Sequence, residues 1–429
     1  MSADPARDSF SFLHAADVHL DSPLRGLERY EGAPVDAIRG ATRRALENLV
    51  TLAIEHPVDF VLIAGDLYDG DWKDYNTGLF FVQQMARLDA AGIPVLVIAG
   101  NHDASSRITR HLHPPPNVHL LRSDAAETRL LDGIAAAVHG QGFASAAVSE
   151  DLSLGYPEPV AGRFNIGLLH TALSGRPGHA PYAPCSVEGL RARGYDYWAL
   201  GHVHRREVVS EQPWIVFPGN LQGRHARETG AKGASLVVVE HGAVASVTHH
   251  ALDVVRFYDE AVDASGCENA EQIWPRVEAA LARCAADAEG LLAAVRVRLS
   301  GASDAHDALR AQHEQVVAQC RALAASVAGE LWIEKVLVQT SAAVDMVALM
   351  ERDDFVGALL RGIRDLGDDE PTLGQLAEQF TDLRGKLTRE LTIAGEDAVD
   401  PTSPQALRAA LDDVQALLAQ RLGVEGRER

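Results

Sequence analysis

The sequence predicts an α/β fold, on three observations. Short apolar runs alternate with helix-period segments over the first half of the chain. The apolar runs are near-continuous rather than alternating with polar residues, as in mainly parallel strands covered on both faces. Several of them end in a glycine or a polar cluster rather than a tight hairpin turn.

Taken in order, Phe10–Ala16 reads as a strand, and Thr42–Glu55 as a helix with Leu46, Leu49, Val50 and Ala53 on one face. Val58–Ala64 is an unbroken apolar strand, Thr77–Ala91 a helix and Pro94–Ala99 a strand, which completes a βαβαβ pattern. The loop "HLHPPPNVH" (His111–His119) is too proline-rich for regular structure. Later strands are expected at Ile134–His139, Phe164–His170, Tyr197–Leu200, Trp214–Phe217 and Ser235–Glu240. Near Leu252 the pattern becomes a smaller α+β module. It comprises strand Arg256–Val262, helix Asn269–Ala286, strand Leu292–Ser300, helix Asp304–Val327 and strand Glu330–Gln339.

The remainder reads as helical. Thr372 and Gln375 form a capping box before a stripe of Leu373, Leu376, Phe380, Leu383 and Leu387. Ser403-Pro404 opens a last helix with the stripe Leu407, Leu411, Val414 and Leu418. That stripe suits either internal packing or docking of a partner. The expected division is 1–251, 252–341 and 342–429.

Composition narrows the function. The net charge of −21 weighs against holding nucleic acid by overall electrostatics, so any such grip is local or comes from a partner. No run resembles a membrane span, and the N-terminus lacks the apolar core of a signal peptide. The cysteines Cys185, Cys267, Cys284 and Cys320 are far apart and read as reduced thiols, so a cytoplasmic location is expected.

The chemistry sits at strand ends. "ADVH" presents Asp17 and His19, two apart, which in extended chain would share one face. "AGDLYD" presents Asp66, "AGNHD" presents Asn101, His102 and Asp103, "LLH" presents His170, and "GHVH" presents His202 and His204. Ligand sites of open α/β sheets lie at the carboxyl ends of strands, where all of these fall. Each cluster alone is an ordinary turn or a core histidine; together, in order, they read as a metal centre. Oxygen and nitrogen donors without thiolate suit Mn(II), Fe(II) or Zn(II). A shared carboxylate among them fits two ions roughly 3.5–4 Å apart.

The ordered set "DVH", "GDLYD", "GNHD", "LLHTAL" and "GHVH" resembles the calcineurin-like metallophosphoesterases. The stretches "YAPCSVEGLRARGYDYWALGHVH" and "FPGNLQGRHARETGAKG" are similar to the DNA-repair nuclease branch of SbcD and Mre11, and within it to YhaO-type exonuclease-like proteins. The resemblance implies a β-sandwich flanked by helices, a smaller α+β capping domain and C-terminal helices. It implies two divalent ions, Mn(II) first. One would be held by Asp17, His19, Asp66 and His204, and the other by Asp66, Asn101, His170 and His202. His102 would face the scissile phosphate, with Asp103 orienting it. The implied activity is two-metal phosphodiester hydrolysis of DNA, a 3′→5′ exonuclease with some endonuclease ability. The implied partner is a Rad50/SbcC-like or YhaN-like ATPase. A homodimer is allowed, and no membrane is involved. Phosphoester hydrolysis on a small nucleotide or phosphomonoester, or a regulatory role for the ATPase, would use the same ligand set.

Other residues keep two readings. Asp69 is either a partner of the ligands or a turn carboxylate. Arg224, His225 and Arg227 of "GRHARE" either touch substrate phosphate or pair with Glu228 and solvent. His14 reads as a packed core histidine, and His111, His113 and His119 as loop surface. The region after Leu252 is expected to serve DNA or partner engagement rather than the hydrolytic centre.

Overall fold

A computed structural model describes residues 6–22, 34–69, 75–105, 114–173, 182–343, 346–382 and 403–424. Its centre is two six-stranded sheets packed face to face.

In the first sheet, β1 (Phe10–Ala15), β2 (Phe60–Ala64), β3 (Val95–Ile98) and β4 (Val118–Leu120) run parallel. The hairpin of β11 (Gly233–Glu240) and β12 (Ala243–Ala251) adds antiparallel to β1. In the second sheet, β6 (Ala136–Gln141), β7 (Phe164–His170), β8 (Tyr197–Gly201) and β10 (Trp214–Phe217) are parallel. The antiparallel β5 (Glu127–Leu130) and β9 (Glu207–Glu211) close its edges. The sequence reading lacked β4, β5, β9 and β12. They are edge strands of short or polar sequence, and β4 begins inside the expected proline-rich loop. His119 lies on β4, half-buried, while His111 and His113 lie outside the described residues.

Strand alternation explains why the central runs are apolar throughout. Phe10 and Phe12 of β1 and Phe60 and Leu62 of β2 point between the sheets, onto Phe164, Ile166, Leu168 and Tyr197. Leu13, Ala15, Val61 and Ile63 point the other way, onto Leu46, Leu49, Val50 and Ala53 of helix Ala41–Glu55 and Met85 of helix Tyr75–Ala90. The Phe12 and Phe60 rings stack at 4.8 Å, worth about 0.5–1.5 kcal/mol beyond their burial. The outer face of the second sheet packs Trp198 and Leu200 against Leu190 of helix Val187–Ala192.

The next layer is a three-stranded sheet, β13 (Val255–Asp263), β14 (Leu292–Ser303) and β15 (Leu331–Ala342), all parallel. Helices Trp274–Asp287 and His313–Ser326 pack on it around Leu281, Cys284 and Cys320. The helix expected over Asp304–Val327 is two, His306–Ala311 and His313–Ser326, broken where Gln312 leaves helical angles. All four cysteines are buried and unbridged.

Among the C-terminal helices, Glu370–Gln379 starts earlier than expected. Proline in its first turn sets the start, with Asp369 as N-cap, so Thr372 lies inside the helix and is no capping-box residue. Ser403 does precede helix Pro404–Val424, and the Ala406 amide donates to its hydroxyl at 3.4 Å. Leu407 is buried with Leu373 and Ala377, and Leu411 packs beside them. These two residues are internal packing, which removes them from any docking face; Val414 stays 44% exposed. Leu383 and Leu387 lie outside the described residues.

Candidate metal centre

The site is built by backbone that leaves strand geometry. β1 ends at Ala15, before the first donor. Asp17, His19 and Asp66 have φ of 50°, 45° and 53°, and His202 has φ of 102°. Non-glycine residues at positive φ cost of order 1–3 kcal/mol and persist only where the surroundings impose them. The expectation that Asp17 and His19 share a face through strand alternation is therefore corrected. Their directions come from left-handed turns instead.

Those turns are zipped to the next strand end. The Asp17 amide donates to the Gly65 carbonyl at 3.0 Å, His19 to Asp66 at 2.9 Å and Leu20 to Leu67 at 2.9 Å. Glycine is required where the loops meet. A Cβ on Gly100 would sit 2.3 Å from Asp66 Oδ1, and one on Gly201 1.9 Å from the Ala64 oxygen. The "GNHD" and "GHVH" glycines thus make room for the carboxylate and for the neighbouring strand.

All of the expected donors converge. His19 Nε2 and His204 Nε2 are 3.3 Å apart. His204 Nε2 lies 3.7 Å from Asp17 Oδ1. Asp66 Oδ2 lies 3.8 Å from His19 Nε2 and 3.6 Å from His170 Nε2, between the two groups. Asn101 Oδ1 is 3.0 Å from His170 Nε2. The His202 amide donates to both Asp17 oxygens, at 2.9 and 3.2 Å, and its ring stands beside that of His170 at 5.2 Å. The ligand atoms of Asp17, His19 and His204 fall within 4.8 Å of one another, as do those of Asp17, Asp66 and His170.

The partners of the three imidazoles fix which of their ring nitrogens carries the proton. His170 Nδ1 is 2.8 Å from the Ala64 carbonyl, so Nδ1 carries the proton and Nε2 presents a lone pair to Asp66. His19 Nδ1 donates to Asp69 at 2.8 Å and His204 Nδ1 to Glu228 at 2.7 Å. Their Nε2 lone pairs therefore face each other. Acceptors turned on acceptors in a buried site fit cations between them, and carboxylate-backed imidazoles are the usual way a protein orients metal-binding histidines.

Electrostatics agree. Burial, then the Asp66 charge, pushes the Asp17 carboxyl well above the usual range. Burial pushes Asp66 up to about 6, against the pull of His102 and His204. Burial likewise lowers His19 and His204, and takes His170 down to about 4. The protein alone thus supplies neutral imidazoles around reluctant carboxylates, an environment that suits a divalent cation.

His102 is tied to Asp66. Its amide donates to Asp66 Oδ1 at 2.9 Å, its ring stands against that of His19 at 5.0 Å, and its side chain is 43% exposed. The expected orienting role of Asp103 is corrected. Asp103 is buried and accepts from the amides of Leu67, Tyr68 and Gly100 at 3.0, 2.8 and 3.1 Å, so it pins the two loops. The carboxylate at His102 Nδ1 is Asp69, 3.3 Å away, which also holds His19 and accepts from Ser22. Burial alone would raise Asp69, but the bonds from His19 and Ser22 hold it below the usual range.

The "GRHARE" residues divide. Arg224 pairs with Glu228 at 3.1 Å, its amide donates to Glu228 at 2.7 Å, and its guanidinium also stands 3.7 Å from Asp69, so it is paired internally at the edge of the site. His225 is half-exposed, 3.6 Å from Glu228. Arg227 is exposed. Sequence reasoning missed Glu228 as the residue that orients His204; nothing in the spacing of the two signals that contact. His14 is a core histidine as read, bonded to the Tyr197 hydroxyl at 3.0 Å and the Leu200 carbonyl at 3.1 Å.

Comparison with known proteins gives two family matches. Residues 10–206 match calcineurin-like phosphoesterases, and residues 257–341 match the middle domain of the metallophosphoesterase YhaO. The chain is 37% identical to the "Uncharacterized metallophosphoesterase YhaO" of Bacillus subtilis, over 62% of this chain and 66% of that protein. It is 28% identical to the "DNA double-strand break repair protein Mre11" of Methanopyrus kandleri, over 48% of each. It is 26% identical to the protein of that name from Sulfurisphaera tokodaii, over 52% of this chain and 58% of the relative. The chain thus spans about half to two thirds of the length of these relatives.

Proposed function

This chain carries a calcineurin-like metallophosphoesterase domain followed by a YhaO-type middle domain, and from that premise we propose that it hydrolyses phosphodiester bonds in DNA with two divalent cations. The observation that carries the reading is the position of Asp66 Oδ2, 3.8 Å from His19 Nε2 and 3.6 Å from His170 Nε2. One carboxylate oxygen shared between two imidazole groups is the arrangement for a pair of cations rather than one. Asp17, His19 and His204 would hold one with Asp66; Asn101, His170 and His202 would hold the other with it. Mn(II) suits these donors, with Fe(II) and Zn(II) next.

When bound, such ions polarise phosphoryl oxygens and activate a water for in-line attack. The rest falls to the chain. The buried His19, Asp66 and His170 form the floor, and the half-exposed His102 stands where a phosphodiester must arrive. With Asp69 on Nδ1, His102 directs Nε2 to the leaving oxygen, to which it supplies a proton or a stabilising charge. The fixed turns at Asp17, His19 and Asp66 mean that little reorganisation accompanies the reaction.

The DNA assignment rests on the similarity to proteins named for double-strand break repair. We further propose a 3′→5′ exonuclease with some endonuclease ability, acting beside an ATPase of the Rad50/SbcC or YhaN kind in the cytoplasm. The chain's charge of −21 makes such a partner a natural source of additional nucleic-acid grip. The test is incubation of the pure chain with end-labelled duplex, hairpin and single-stranded DNA in Mn(II) or Mg(II). Bis(p-nitrophenyl) phosphate and a phosphomonoester run alongside. Shortening of DNA from its 3′ ends is expected. Turnover confined to the monoester would overturn the assignment.

A further inference from the structure

We infer that the loop from Asn220 to Gly230 makes the metal centre dependent on the three-stranded sheet, with Gln222 as the clip and Glu228 as the positioning residue for His204. The inference rests on the two-cation reading above and names what stabilises one side of that site.

The loop is tied at both ends of a short path. On the sheet side, the Gln222 carboxamide is buried and clipped to the start of β13. Its Oε1 accepts from the Val254 amide at 2.8 Å and the Val255 amide at 3.3 Å, and its Nε2 donates to the Val255 carbonyl at 2.6 Å. The Gly230 amide donates to the Phe257 carbonyl at 3.1 Å. Ala226, 1% exposed, packs in one cluster with Val255, Phe257, Leu292, Ala294 and Trp332.

On the metal side, Glu228 is held by three donors besides the imidazole. Asn220 Nδ2 reaches its Oε2 at 2.9 Å, the Arg224 amide the same oxygen at 2.7 Å, and the Arg224 guanidinium its Oε1 at 3.1 Å. Asn220 Nδ2 also donates to the Gln222 carbonyl at 2.8 Å, which joins the two halves of the path. Glu228 Oε1 then meets His204 Nδ1 at 2.7 Å and fixes the tautomer that turns Nε2 into the site. Lys232, just past the loop, fixes the same residue through its carbonyl, at 2.9 Å. His204 follows β8 in sequence, but its orientation is thus set by groups anchored on β13. The expectation that everything after Leu252 is dispensable for the hydrolytic centre is revised by this path.

The test is Mn(II) titration of the full chain by electron paramagnetic resonance, on wild type, Glu228→Ala, Glu228→Gln and Gln222→Met. Melting curves in excess chelator serve as the folding control. Loss of a residue that orients a ligand typically weakens metal binding about 10–100-fold. Glu228→Ala should lose that much at one of two Mn(II) equivalents and leave the other unchanged. Glu228→Gln keeps an oxygen for the His204 N–H and should recover part of the loss, which a merely structural role would not give. Gln222→Met, which touches no proposed ligand, should weaken the same equivalent. Two native-affinity equivalents in a folded Gln222→Met would overturn the clip. If that variant does not fold, unchanged binding in Glu228→Ala overturns the inference by itself. Wild type that binds no divalent ion would instead overturn the two-cation reading beneath it.

Discussion

His19 and His204 point their Nε2 atoms at each other across 3.3 Å while each gives its Nδ1 proton to a carboxylate, Asp69 and Glu228. Two lone pairs so placed repel each other unless a proton or a metal cation lies between them, and a divalent ion answers both at once. The chain should therefore melt higher with Mn(II) than in excess chelator. At a hundredfold excess over Kd one site contributes about 2.7 kcal/mol. For a domain of roughly 200 residues each kcal/mol moves the midpoint by about 2–4 °C. Coincident melting curves with and without metal, measured by calorimetry, would contradict this reading of the pair.

In the proposed two-cation arrangement Asp66 is the shared anion, so its removal should cost more than that of any single imidazole. Asp66→Ala is expected to lose both metal equivalents and turnover together, whereas His204→Ala should weaken one. Removing the side chain also unties the His102 amide, which donates to Asp66 Oδ1 at 2.9 Å. Elemental analysis that finds two equivalents in Asp66→Ala would exclude the shared position.

The site was legible in the sequence because its donors are short motifs at the ends of apolar runs, and "GDLYD", "GNHD" and "GHVH" each announce themselves by a glycine. The local geometry was not. Strand alternation was the wrong account of Asp17 and His19, since positive φ is a consequence of the loop zipped onto Gly65 and Asp66. Side-chain partners across long sequence gaps were also hidden. Asp103 stands beside His102 in the chain, yet the carboxylate at His102 Nδ1 is Asp69. Glu228 looked like a partner for Arg224 and is also the partner of His204. In the fold, the buried central strands were readable from their apolar runs. The edge strands β4, β5, β9 and β12 were not, because partly exposed edges need no apolar run.

Gly201 tests the close approach of strands below the site. A Cβ there would sit 1.9 Å from the Ala64 oxygen and 2.9 Å from His170 Nδ1, across the bond that fixes the His170 tautomer. Neither neighbour is the tip of a flexible side chain. Gly201→Ala should destabilise the chain by about 1–3 kcal/mol, as overpacking does, and weaken metal binding. Gly155→Ala, with nothing within 4 Å of its Cβ, is the control and should change neither. Equal melting points and metal content for the two variants would refute the packing argument.

The proposed role of His102 is catalysis rather than metal binding, although its ring nitrogen lies with His19 and Asp69 in a group that could itself hold an ion. Its amide is bonded to Asp66, but its ring leans on His19 and faces Asp69, and its side chain is 43% exposed. Charge grows on the phosphoryl and leaving oxygens in the transition state, and a positioned imidazole contributes typically 10²–10⁴-fold there. His102→Gln should therefore keep two metal equivalents and near-normal DNA affinity while turnover falls by about that factor. Asp69→Asn should lower turnover too, and it should also weaken metal binding, because Asp69 orients His19 at 2.8 Å as well as His102 at 3.3 Å. Asp103→Asn acts differently again. Its carboxylate holds three backbone amides, so its loss should appear first as a lower melting point. Metal content, DNA binding and single-turnover rate on the three variants distinguish these roles. Loss of a metal ion in His102→Gln would make His102 a ligand, and an unchanged single-turnover rate would remove it from the reaction.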